Sequence, residues 1–237
     1  MSTIVFPGDS VVASANMTLA NQWPQRVGLA AGFDTIINAG VPGNKSSQIL
    51  ARFQTDVLDH APDVVAMMFT VNDTKEGAVP LSTHEANYRA MIEAAQLAGA
   101  KVVLITPPIY RASVANWRSA HNLWVSLAGE YGCPLVDVMR AYGWEWTADP
   151  EVFKALYIGG TDIVHQSLAG NNKIVALCTE ATQRDAFTIP APPPEPEVCP
   201  VVTDEITLAL ADLQKEGASV ERLQRAINAL SGPCTVN

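Results

Sequence analysis

Thr3-Ile4-Val5-Phe6-Pro7-Gly8-Asp9-Ser10 begins with four residues suited to a buried strand and breaks at Pro-Gly, so that a carboxylate and a hydroxyl stand at the strand's carboxyl end. Outward from it, Trp23 to Leu29 reads as a helix and Thr35 to Asn38 as a second strand. Ser46 opens a helix in which Ile49, Leu50, Phe53, Val57 and Leu58 recur at helical spacing, and Pro62 precedes a third strand, Val64 to Phe69. Ser82 to Ala98 is helical in pattern and ends at Gly99, a residue suited to the left-handed cap, before strand Lys101 to Thr106 stops at Pro107-Pro108. A helix over Ala115 to Tyr131, a fifth strand over Leu135 to Val138 and a helix over Leu168 to Ala186 complete the unit. Strand and helix alternate, which predicts an α/β domain of three layers, α/β/α, around a five-stranded parallel sheet covered on both faces.

The bulk composition narrows the function. At 237 residues, 48% hydrophobic and 16% charged, the chain can bury a sizeable core. A formal net charge of −9 repels polyphosphates, so nucleic acid is not an expected partner. The longest apolar runs are strand-length, well short of the roughly 20 residues a membrane span needs. No basic region, long apolar stretch or cleavage site precedes Gly8-Asp9-Ser10, so no signal peptide is expected and the cytoplasm is the default location. The four cysteines show no zinc-ligand spacing, and neither a metal nor a cofactor is expected.

Four short motifs fall at predicted strand exits, where open parallel sheets place their ligands. They are Gly8-Asp9-Ser10 after strand one, Asn38-Ala39-Gly40-Val41-Pro42-Gly43-Asn44 after strand two, Asn72-Asp73 after strand three, and Asp162-Ile163-Val164-His165 after strand five. Each alone is an ordinary turn or cap. Together they supply what acyl transfer from a serine requires: a nucleophile, a base, an orienting carboxylate and donors for the oxyanion. Ser10 is the candidate nucleophile, His165 the base and Asp162 the residue that holds the imidazole. His60, His84 and His121 are assigned to surfaces or helix ends.

From Thr3 to Thr182 the set resembles the SGNH hydrolases, the GDSL-type serine esterases. That resemblance implies a flavodoxin-like SGNH fold and a triad of Ser10, Asp162 and His165. It also implies an oxyanion hole made of the backbone N–H of Ser10, the backbone N–H of Gly43 and the side-chain amide of Asn72. The family usually has glycine two residues before that asparagine, whereas this chain reads Thr70-Val71-Asn72-Asp73. Asp9 and Asp73 are read as braces for the neighbouring loops.

Tyr142 to Trp146 and Phe153 to Tyr157 lie in a stretch without regular pattern and are expected to wall the pocket, with Trp144 and Trp146 offering indole faces and Tyr110 another wall. The reaction expected is metal-independent hydrolysis of a carboxylic ester through an acyl-enzyme, most simply a short acyl group such as acetyl on a small molecule or carbohydrate. Lysophospholipase or thioesterase activity, or a carbohydrate-binding module with an impaired oxyanion hole, are the alternatives.

The hydrolase-like domain is expected over residues 1–187, followed by a proline-rich linker over 188–202 and a helical hairpin over 203–237. In the hairpin, Ile206, Leu210 and Leu213 form one apolar stripe and Val220, Leu223, Ile227 and Leu230 another. Antiparallel folding would bring Cys199 near Cys234, where a disulfide and two free thiols are the competing expectations. The hairpin suits self-association into a homo-oligomer or attachment to a larger assembly, a virus particle among them.

Overall fold

The computed structural model describes residues 1–74, 79–108, 114–142, 155–159 and 162–189, with the backbone alone at 114–116, 159, 162 and 163. All belong to the first of the two units into which the chain divides, Met1–Pro190 and Ala191–Asn237. The expected hairpin with Cys199 and Cys234, together with Tyr110, Trp144 and Trp146, therefore lies outside the described residues.

Strands β1 (Thr3–Gly8), β2 (Thr35–Gly40), β3 (Val64–Met68), β4 (Lys101–Ile105) and β5 (Leu135–Val136) form one parallel sheet in the order β2-β1-β3-β4-β5. Ile4, Val5, Phe6 and the whole of β3 are fully buried, because helices cover both faces of the central strands. The covering elements include α1 (Ser10–Ala13), α2 (Trp23–Ala30), α3 (Ser46–Ala51), α4 (Phe53–Asp56), α5 (Val71–Thr74), α6 (Leu81–Leu97), α7 (Val114–Glu130) and α8 (Val138–Ala141). A hairpin of β6 (Tyr157–Gly159) and β7 (Asp162–Gln166) then leads into α9 (Leu168–Thr182).

The chain leaves β1 for β2 on one side and returns to β3 on the other. This reversal opens a crevice at the carboxyl ends of β1 and β3, the position where doubly wound sheets bind ligands. Ser10 follows β1 and Asn72 follows β3, so both stand at its mouth.

Three details depart from the expected elements. The helix begun at Ser46 breaks at Arg52, whose backbone leaves the helical region (φ −108°, ψ 7°), so α3 and α4 are separate. The final helix ends at Thr182 rather than Ala186, and Asp185 turns into the left-handed region at φ 62°. Asp162 and His165 lie on a strand rather than in a loop. Tyr157-Ile158 and Ile163-Val164 are residue pairs that favour extended backbone.

Candidate active site

The nucleophile turn is built from the end of β1. Asp9 caps α1 by accepting a 2.9 Å bond from the Val11 N–H, which makes Ser10 the first helical residue. Two contacts fix α1 on the sheet. The Trp23 indole N–H donates to the Val11 carbonyl at 2.9 Å. At Gly40, any Cβ would lie 2.3 Å from the Ala13 nitrogen, so only glycine lets the tip of β2 approach α1 this closely. The Asn38 amide donates to the Val12 carbonyl at 3.0 Å and its carbonyl oxygen accepts from the Gly40 N–H at 3.1 Å, tying the second motif to the first.

Gly43 lies in the loop after β2 at φ +82°, which demands glycine on conformational grounds, and a Cβ there would meet nothing within 4 Å. The loop is held from behind by Arg52. Its guanidinium donates to the Asn44 side chain at 2.9 Å, to the Gly8 carbonyl at 3.0 Å and to Asp56 at 2.6 Å. The break between α3 and α4 thus places Arg52 where one planar group ties the ends of β1 and of the β2 loop together.

Asn72, 7% exposed, sits beside both loops. Its Nδ2 donates to the Asn44 carbonyl at 3.0 Å and lies 3.4 Å from Asp9 Oδ2. Asp9 Oδ2 also accepts from the Thr70 hydroxyl at 2.6 Å and the Val71 N–H at 3.0 Å. Burial pushes the Asp9 carboxyl above its ordinary range, while the bonds from Thr70, Val11 and Val71 and the nearby charge of His165 act the other way. Asp73, buried on the same turn, accepts from the Ser46 N–H at 2.9 Å.

The hairpin brings β7, which carries His165, beside α1. Asn16 Nδ2 donates to the Gln166 carbonyl at 3.1 Å, the Ser167 N–H to the Leu156 carbonyl at 2.9 Å, and the Tyr142 hydroxyl to the Gly170 carbonyl at 2.9 Å. Ser10 and His165 consequently line one shallow depression, with Val11, Ser14, Asn16, Gln166 and Asn171. Asp162 is the first residue of β7, paired in register with Gly159.

The fold and these motifs can be set against known proteins. Residues 6–173 match the model of the GDSL-like lipase/acylhydrolase family. The chain belongs to that family. Its relatives include an acetylxylan esterase from Geobacillus stearothermophilus, 28% identical over 156 residues that cover 57% of this chain and 66% of that protein. An arylesterase from Vibrio mimicus is 32% identical over 44% of this chain and 54% of its own length. The chain thus spans between half and two thirds of these curated relatives. Among solved structures, the lipase/acylhydrolase from Enterococcus faecalis superposes with a TM-score of 0.63 at 23% identity, covering 78% of this chain and 97% of that one, which establishes the shared fold.

Within this GDSL-like chain His60 and His84 lie at a surface and in the first turn of α6, as expected, while His121, buried in the interior of α7, departs from the expectation of a surface or helix end. His60 is exposed, but His84 is 1% exposed: its Nδ1 lies 2.8 Å from Asp73 Oδ2 and its Nε2 accepts from the Trp124 indole N–H at 2.8 Å. Since tryptophan can only donate, that bond fixes the ring proton on Nδ1, directed at Asp73. His121 is also buried, with Nε2 2.8 Å from Asp137 Oδ2. Of the described thiols, burial pushes Cys133 up to about 11 and Cys178 up to about 12, which leaves neither as a thiolate nucleophile near neutral pH. Sequence reasoning missed Thr70 and Arg52 as parts of the site. A threonine in the family's glycine position was a signal for the first, and nothing local marked the second.

Proposed function

We propose that this protein is a serine esterase in which Ser10 attacks the ester carbonyl, His165 accepts the Ser10 proton and returns it to the leaving alcohol, and Asp162 orients the imidazole. The observation that carries this reading is that Ser10 and His165, from opposite ends of the domain, line one depression at the sheet's crevice. The Ser10 N–H, the Gly43 N–H and the Asn72 amide, whose second hydrogen would leave its long 3.4 Å contact with Asp9 Oδ2, are the oxyanion donors, each of a kind worth about 2.7 to 4 kcal/mol in barrier height. Water then attacks the acyl-enzyme with His165 again as base. Serine and imidazole suffice for both steps, so the cycle requires no metal.

The substrate is a short acyl ester, with acetyl on a carbohydrate the leading candidate. The acetylxylan esterase relative supports this acyl size. The test is turnover of p-nitrophenyl acetate and of acetylated xylo-oligosaccharides. Ser10→Ala should lower kcat by at least about 10³-fold. A variant as fast as the parent would overturn the assignment, and p-nitrophenyl esters of long acids turned over faster than the acetate would overturn the substrate class.

A further inference from the structure

We propose that Thr70 is a positioning residue for the oxyanion hole, its hydroxyl being the pin that sets the Asn72 amide against the Ser10 turn. This rests on the serine-esterase reading above for its catalytic consequence, though not for its geometry. Thr70 is fully buried. Its hydroxyl donates to Asp9 Oδ2 at 2.6 Å, lies 3.0 Å from the Asn44 carbonyl oxygen and accepts from the Asn72 N–H at 3.1 Å. One oxygen atom therefore meets the loops that follow β1, β2 and β3, the three segments that carry Ser10, Gly43 and Asn72.

The pin is itself fixed. The Tyr88 hydroxyl oxygen accepts from the Thr70 N–H at 2.8 Å, and its own proton goes to the Met68 carbonyl at 3.2 Å. The hydroxyl-to-carboxylate bond is charge-assisted and short, the kind that holds geometry most firmly. It also satisfies an oxygen of Asp9 that has no access to water. Where the family usually has glycine this anchoring oxygen does not exist.

Because the oxyanion donor must be aimed at the transition state rather than the ground state, loosening the pin should be felt in kcat more than in KM. Thr70→Val keeps the shape and removes the hydroxyl; Thr70→Ser keeps the hydroxyl. With p-nitrophenyl acetate, Thr70→Val should lose about 10- to 100-fold in kcat with KM within twofold, and Thr70→Ser should stay within about threefold of the parent. Should Thr70→Val fail to fold, Thr70→Ala is read in its place. The second measurement is the side-chain amide signal of Asn72 in ¹H–¹⁵N spectra, which should shift or broaden in the Val or Ala variant and stay at the parental position in Ser. That signal is read whether or not any ester is hydrolysed, so a parent without turnover would sink the esterase reading alone. Equal kcat in parent and Val, equal damage in Ser and Val, or an unmoved Asn72 amide in the Val or Ala variant would each overturn the pin.

Discussion

His84 and His165 both stand close to aspartates at the carboxyl ends of the parallel strands, yet they differ in what surrounds each ring. His84 is enclosed by Phe69, Tyr88 and Trp124, with ring centroids 4.7 to 6.0 Å away, and both of its nitrogens are engaged, one with Asp73 and one with Trp124. His165 is half-buried on a hairpin strand and lines a depression with a serine hydroxyl. A histidine acts as a base only if one nitrogen can meet the proton it is to accept. His84 cannot, because Trp124 occupies its only lone pair. Its bond to a carboxylate, so similar on paper to part of a triad, does structural work: it ties α5 and α6 to α7 through Asp73 and Trp124.

The comparison is broken most directly by removing each ring in turn. His165→Ala should lower kcat on p-nitrophenyl acetate by about 10³-fold or more, while His84→Ala, assayed well below its unfolding temperature, should keep kcat within about tenfold of the parent. Equal losses would mean that the buried ring serves chemistry, or that the hairpin ring does not.

Stability should rank the two rings in the opposite order. His84→Ala leaves the Asp73 carboxylate with Ser46 alone and the Trp124 indole N–H without its acceptor in a closed core, and also opens a cavity among the aromatic rings, a cost of about 2 to 4 kcal/mol. His165→Ala should cost under about 1 kcal/mol, as expected of a part-exposed position. Urea unfolding midpoints at one pH give both numbers, and a His84→Ala midpoint equal to the parent's would show that the relay carries no load.

The same two rings show how far a single sequence can be read. The sheet was legible because hydrophobic runs of strand length alternate with helical spacing, and because turn residues punctuate them at Pro7-Gly8, Gly99 and Gly132. The family was legible because its motifs are short and local. His84 was not, since its partners Asp73 and Trp124 come from two other elements and only the fold assembles them. Arg52 escaped for a related reason: its role depends on a helix break that the apolar spacing through Phe53 and Val57 conceals. The hairpin escaped because a strand of five residues at the domain's edge, Asp162–Gln166, offers too short a pattern to separate from a loop.

The smallest effect separates the two aspartates that flank the site residues. Asp73 and Asp9 are both buried, but burial prevails in Asp9 and raises its carboxyl above the ordinary 3.8. In Asp73 burial also acts to raise the value, and the bonds from His84 and Ser46 outweigh it and hold the carboxyl below 3.8. The signs of their linkage to folding are therefore opposite. Asp73 adds stability that is present above 3.8 and lost as pH falls through its lower folded value, whereas the ionisation of Asp9 costs stability that is absent below 3.8 and complete above its raised one. Asp73→Asn should thus be destabilised relative to the parent near pH 5 and close part of that gap by about pH 2, as read from urea midpoints across the range. A gap between the two proteins that stays constant over those conditions would show that Asp73 supports the His84 relay through shape and hydrogen bonding alone, with no contribution from its charge.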